Sequence, residues 1–122
     1  MHEISIRTHF SAAHRLAGYE GTCANLHGHN WEVEVVVCGE ELDETGMLVD
    51  FRKLKSAVRE ATSGLDHADL NALAAFKSSN PTSENIARHL FERLRETLAG
   101  HGCRLDHVTV RETPDSSATY RA

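Results

Sequence analysis

Gly28-His29-Asn30-Trp31-Glu32-Val33-Glu34-Val35-Val36-Val37-Cys38 is the stretch on which the fold turns. Val33, Val35 and Val37 share one face, and Glu32 and Glu34 occupy the other before Val36 and Cys38 turn it apolar. A period of two is the mark of a β-strand. Immediately upstream runs Cys23-Ala24-Asn25-Leu26-His27. If His27-Gly28-His29 opens the strand, the same period puts both imidazoles on one face, where they can converge on a single metal ion. A third ligand is available in His14, which ends Phe10-Ser11-Ala12-Ala13-His14. Residues 4 to 14 alternate in the same way, with Ile4, Ile6, Thr8 and Phe10 to one side and Arg7 and His9 to the other. The two segments are expected to pair antiparallel, bringing His14 beside His27 and His29. Three imidazoles with an open fourth position are the coordination of a catalytic zinc, whereas structural zinc usually closes its shell with four protein ligands.

Outward from this pair, Gly39 to Gly46 is acidic and turn-rich, and Asp50 is placed to cap a helix. Phe51, Leu54, Val58, Ala61 and Leu65 then recur at spacings of three and four, one apolar helix stripe ended by Gly64. Leu65-Asp66-His67-Ala68-Asp69-Leu70-Asn71 reads as an irregular turn rich in groups that hold or move protons. In Asn80-Pro81-Thr82-Ser83-Glu84-Asn85, Pro81 ends what precedes it and Thr82 or Ser83 can cap a second helix. Its stripe is Ile86, Ala87, Leu90, Phe91, Leu94 and Leu98, stopped by Gly100 and Gly102. Val108 and Val110 mark a third strand running to Glu112. Pro114 breaks it, and Ala118 to Tyr120 offers a short fourth. The order ββααββ predicts an α+β domain, a four-stranded antiparallel sheet with both helices on one face.

A chain of 122 residues with no internal repeat or linker is expected to be one domain, residues 1–122. Its formal charge of −5 argues against non-specific nucleic-acid binding, which needs a basic face. No apolar run approaches the roughly 20 residues needed to cross a bilayer. Met1-His2-Glu3-Ile4 lacks the features of a signal peptide, so the expected address is the cytoplasm. The three cysteines, Cys23, Cys38 and Cys103, are too far apart for a Cys-x-x-Cys motif.

With nine histidines in the chain, most must be ordinary polar residues; the period-two pair is what raises the metal reading. His2, His89 and His101 stay with the ordinary reading, and His9 is near enough to the cluster to act beside it. Cys38 and Cys103 fit small buried hydrophobes, as most free cysteines are. Cys23 does not, because it lies in a polar loop beside Gly21 and four residues before His27. It can be a reactive thiol, a useful base when a nearby cation lowers its pKa, or a fourth ligand that makes the site structural. Asp66 beside His67 is either a solvated turn or an aspartate that orients an imidazole for proton transfer. Glu112, in Val110-Arg111-Glu112-Thr113, is either a surface strand residue or a carboxylate that grips paired N–H donors. There is no Gly-rich dinucleotide fingerprint.

Together these pieces resemble the 6-pyruvoyltetrahydropterin and 6-carboxytetrahydropterin synthase family nearly end to end. The matching segments are Phe10 to His14, Cys23 to His29, Leu48-Val49-Asp50-Phe51, Leu65-Asp66-His67, Asn80 to Asn85 and Arg111-Glu112-Thr113. The resemblance implies that His14, His27 and His29 bind Zn2+, that Cys23 is the catalytic base, and that Asp66 and His67 form a proton relay. It implies that Glu112 anchors the guanidine-like edge of a pterin, with Thr82 and Ser83 near the same pocket. Arg15 is the candidate for the substrate's triphosphate, ahead of Arg7 and Lys53. The implied fold is the tunnelling fold (T-fold), whose trimers pair into a homo-hexamer with active sites between subunits. The gap of three residues between Cys23 and His27 resembles the carboxy branch used in queuosine and 7-deazapurine synthesis. That branch is a carbon–carbon lyase converting 7,8-dihydroneopterin triphosphate to 6-carboxy-5,6,7,8-tetrahydropterin, acetaldehyde and triphosphate. The pyruvoyl reaction, another pterin side-chain lyase or aldolase activity, and a non-catalytic zinc domain are the alternatives.

Overall fold

The computed structural model describes all of residues 1–122. Strands β1 (His2–His14) and β2 (His27–Gly39) pair antiparallel along their whole length, from His2 opposite Gly39 to His14 opposite His27. Pairing in this register puts Ile6, Phe10, Ala12 and His14 on the same face as Trp31, Val33, Val35 and Val37, and all eight side chains are buried. A one-residue slip of either strand would turn that strand's four side chains outward, so burial itself enforces the register.

Two helices cover that face. Helix α1 (Phe51–Ser63) starts at Asp50, whose side chain accepts from the Arg52 N–H at 2.8 Å, and it buries Leu54, Ala57, Val58 and Ala61. Helix α2 (Ser83–Leu98) starts at Thr82, whose hydroxyl accepts from the Asn85 N–H at 3.1 Å, so Thr82 rather than Ser83 is the cap. Ile86, Ala87, Leu90, Phe91, Leu94 and Leu98 are buried beneath it as the stripe predicts. Phe51 departs from its stripe: it is 51% exposed. As the first helical residue its side chain leans back past the end of the core, beside Leu42 and Met47.

The expected four-stranded antiparallel sheet is corrected to five strands in the order β3-β1-β2-β4-β5, with one parallel pair. Strand β3 is only Ala68–Asp69, parallel to β1 at Ala12 and Ala13. After α1 the chain reverses at His67, which holds a left-handed φ of 58° and donates its N–H to the Ser11 carbonyl. That reversal lays the next residues along the outer edge of β1. Strand β4 (Arg104–Thr113) pairs with β2 through an irregularity at Val36 and Val37, and β5 (Ser116–Tyr120) returns along β4 after a turn containing Pro114. The α+β class and the placement of both helices stand. The face away from the helices is polar, with Arg7 bridging Glu34 at 2.9 Å and Glu32 at 3.6 Å. No helix is long and apolar enough to cross a membrane.

Candidate metal centre

The register of β1 and β2 builds the site. His14 and His27 stand opposite each other at the end of the ladder, and His29 follows two residues along the same face. The ring of Trp31 forms the floor, edge-on to His14 at 4.9 Å and to His29 at 5.2 Å between centroids. Its indole N–H donates to the Ala12 carbonyl at 3.2 Å, which locks the ring in place. Sequence reasoning passed over Trp31, although it lies on the same period-two face as the two histidines.

Hydrogen bonding decides which ring nitrogens are free. His14 is 1% exposed, and its Nδ1 lies 2.7 Å from the Pro81 carbonyl oxygen. His27 Nδ1 lies 2.7 Å from the Asn25 carbonyl oxygen. A carbonyl only accepts, so both Nδ1 atoms carry protons and both Nε2 atoms of the neutral rings present lone pairs. Those two Nε2 atoms are 3.0 Å apart, a contact in which neither neutral ring has a proton to offer the other. The buried Nε2 of His29 has no hydrogen-bond partner, although Glu112 Oε1 is 3.2 Å away out of line. Burial, the largest cause, pushes the pKa of His29 below its ordinary value against the pull of Glu112, favouring the neutral ring a metal requires.

Glu112 Oε1 also lies 3.2 Å from His14 Nε2. The ligand atoms of His14, His27, His29 and Glu112 all fall within 4.8 Å of one another and could hold a metal ion. Converging lone pairs, an unpartnered buried nitrogen and one carboxylate are the donor set of a divalent cation with nitrogen preference. Glu112 was expected to anchor the guanidine-like edge of a pterin; its place against the histidines follows from β4 pairing beside β2, with Arg111 opposite Glu32.

The remaining candidates lie around this group. Cys23, half-buried on a short 3-10 turn at Thr22–Ala24, is outside the four-residue group. Asp66 accepts from the Ser11 N–H at 3.0 Å and lies 3.0 Å from His67 Nδ1. The Ser11 N–H is the main reason its carboxyl is held below the usual carboxylate range, and His67 adds to it. The His67 side chain is 82% exposed, and no hydrogen bond joins it or Asp66 to Cys23 within one chain. His67 and His29 do line one open cavity of about 520 Å³, with Ser11, Asn30 and Asp69. The Thr82 hydroxyl is engaged at the start of α2. Arg15 is exposed, Arg7 is taken up by Glu34 and Glu32, and Lys53 lines a separate groove between α1 and α2.

Comparison with known proteins agrees with this architecture. The family model described as 6-pyruvoyl tetrahydropterin synthase matches residues 3–122. The chain is 40% identical to a 6-carboxy-5,6,7,8-tetrahydropterin synthase of Synechocystis, covering 91% of this chain and 86% of that one. It is 42% identical to a dihydroneopterin monophosphate aldolase of Pyrococcus furiosus, over 80% of this chain and 78% of that one. The solved structure of Caenorhabditis elegans 6-pyruvoyl tetrahydropterin synthase superposes with a TM-score of 0.89 at 33% identity, covering 98% of this chain and 94% of that one. On its matched length, its relatives and its fold, the chain belongs to the 6-pyruvoyl tetrahydropterin synthase family of enzymes.

Proposed function

We propose that this enzyme is a zinc-dependent carbon–carbon lyase that converts 7,8-dihydroneopterin triphosphate and one water to 6-carboxy-5,6,7,8-tetrahydropterin, acetaldehyde and triphosphate. The observation that carries the metal-dependent part is the set of three histidine Nε2 atoms turned on one point, with the Nδ1 atoms of His14 and His27 held by carbonyl acceptors so that Nε2 is the nitrogen left to bind. The Synechocystis relative, named for the carboxy product, supports the choice of substrate. His14, His27 and His29 would hold the zinc. When bound, zinc supplies a Lewis acid for the substrate's side-chain hydroxyls, easing loss of protons from adjacent carbons.

The chain's own residues divide the remaining work. Cys23 acts as the base that takes a proton from the side chain of the pterin. Asp66 holds the His67 ring in orientation, and His67 returns a proton at the opposite end of the rearrangement. The Asp66 to Ser11 bond supports that role, because a carboxylate anchored to the backbone cannot swing away from the imidazole. Glu112 grips the 2-amino and ring N–H edge of the pterin, competing with its contacts to His14 and His29. Thr82 and Ser83 border the pterin pocket, and Arg15 meets the triphosphate. Because His67 is exposed and unconnected to Cys23 within the chain, we assign the complete site to the junction between protomers of a homo-hexamer. The chain works as a single domain in the cytoplasm, supplying queuosine and 7-deazapurine synthesis.

Product analysis tests the assignment. Zinc-loaded protein given 7,8-dihydroneopterin triphosphate should release acetaldehyde and triphosphate in equal amounts. Triphosphate without acetaldehyde would remove the carboxy assignment in favour of a pyruvoyl-type elimination. The aldolase name of the Pyrococcus relative motivates the second reading, cleavage of the side chain with the phosphate retained on the released fragment.

A further inference from the structure

Two asparagines grip the segment leaving β1 in the same unusual way. Asn71 Oδ1 accepts from the Arg15 N–H at 2.8 Å, and its Nδ2 donates to the Arg15 carbonyl at 3.0 Å. Asn80 Oδ1 accepts from the Ala17 N–H at 3.0 Å, and its Nδ2 donates to the Ala17 carbonyl at 2.9 Å. Each side-chain amide thus satisfies both backbone groups of one residue, as a neighbouring strand would. Strand β3 pairs with β1 only at Ala12 and Ala13 before the chain turns into short helical turns. The two amides continue that edge at Arg15 and Ala17, replacing the missing strand by two side-chain rungs.

The residue held between the rungs is Leu16, and its N–H donates to the Cys23 carbonyl at 2.9 Å. Between Leu16 and Cys23 the loop contains Gly18 and Gly21, both at positive φ, so it supplies little stiffness of its own. The side chains of Asn71 and Asn80 make no other hydrogen bond; the backbone N–H of Asn71 and the backbone carbonyl of Asn80 serve their own turns. Both come from the segment that follows Asp66 and His67, and Asn80 precedes the Pro81 that holds His14.

We propose that Asn71 and Asn80 are positioning residues that set the location of the Cys23 thiol relative to the histidine cluster and the Asp66–His67 segment. The proposal rests on the reading of Cys23 as the base. Removing a rung frees Leu16, and with it the backbone bond that ties Cys23 to the segment leaving β1. A displacement on the order of 1 Å costs about 10²-fold in rate while leaving substrate contacts in place.

Asn71→Ala, Asn80→Ala and the double variant are compared with the wild-type zinc-loaded protein. The readouts are kcat and KM for 7,8-dihydroneopterin triphosphate, bound zinc, Tm, and the rate at which iodoacetamide alkylates Cys23, followed by peptide mass. We expect kcat to fall about 10²-fold in the double variant with KM, zinc content and Tm near wild type, and alkylation of Cys23 to become severalfold faster. If the double variant does not fold, the single variants, each keeping one rung, are read in its place. Unchanged kcat and alkylation would overturn the proposal, as would losses that merely track falling Tm and zinc content. If the wild type turns over no pterin, the functional reading fails, and the alkylation arm still decides whether the two amides control the thiol.

Discussion

Stripping the metal should lower the melting temperature of this protein by a predictable amount. Without an ion, the Nε2 atoms of His14 and His27 face each other at 3.0 Å with their Nδ1 protons committed to carbonyls, and the His29 Nε2 is buried without a hydrogen bond. Both penalties are relieved by one cation, so binding belongs to the folded state and adds to its stability. At free zinc about 100-fold above Kd, linkage gives about 2.7 kcal/mol. For a chain of 122 residues, each kcal/mol moves Tm by roughly 3–5 °C, which predicts a shift of roughly 8–13 °C. The assay is calorimetry or thermal scanning of chelator-treated protein against the same sample with zinc restored. His27→Ala and His29→Ala should lose most of the shift, because each removes one of the converging nitrogens. Coincident melting curves with and without metal would refute the reasoning, as would a full shift surviving in both variants.

Three further outcomes follow from the same structure. Cys23→Ala should retain bound zinc, measured by elemental analysis, and lose turnover; loss of the zinc would instead make Cys23 a ligand. Thr82→Ala should cost about 1 kcal/mol in denaturant unfolding, since the hydroxyl caps α2 through the Asn85 N–H. Stability should also fall in acid. Asp50 and Asp66 are held below the usual carboxylate range, chiefly by the backbone N–H groups of Arg52 and Ser11 respectively. A depressed folded-state pKa contributes stability that is complete above the ordinary carboxylate range and is lost as pH falls through the depressed value. Asp50→Asn and Asp66→Asn should therefore flatten the acid limb of a stability-against-pH curve while leaving its neutral plateau lower.

The parts of the fold that were legible in the sequence are those with a strong period. Ile6, Phe10 and Val33 to Val37 announced paired strands, and Leu54, Val58, Ile86, Leu90 and Leu94 announced two helices, because burial imposes a repeat on any element long enough to show one. Ala68 and Asp69 could not be found that way. Two residues carry no period, and their pairing is created by a reversal at His67 that no local preference for glycine marks. Phe51 fitted the stripe arithmetically, but phase says nothing about where the core ends. At the site, the spacing of His27 and His29 anticipated their shared face, whereas the approach of Glu112 depends on the neighbouring strand. The Pro81 carbonyl that holds the His14 ring was invisible, since a backbone acceptor leaves no residue-type signature.

That carbonyl also ties the site to a helix end. Pro81 is followed directly by the cap of α2, so the acceptor of His14 and the first turn of the helix belong to one short piece of backbone. Helix ends fray far more often than whole proteins unfold. When this end opens, the Pro81 oxygen turns aside, and the His14 imidazole can rotate away from anything it coordinates. Metal release would then follow the breathing of a few residues instead of global unfolding. Transfer of bound zinc to a chelator in large excess should accordingly run faster in Thr82→Ala than in the wild type, by more than its effect on overall stability would produce.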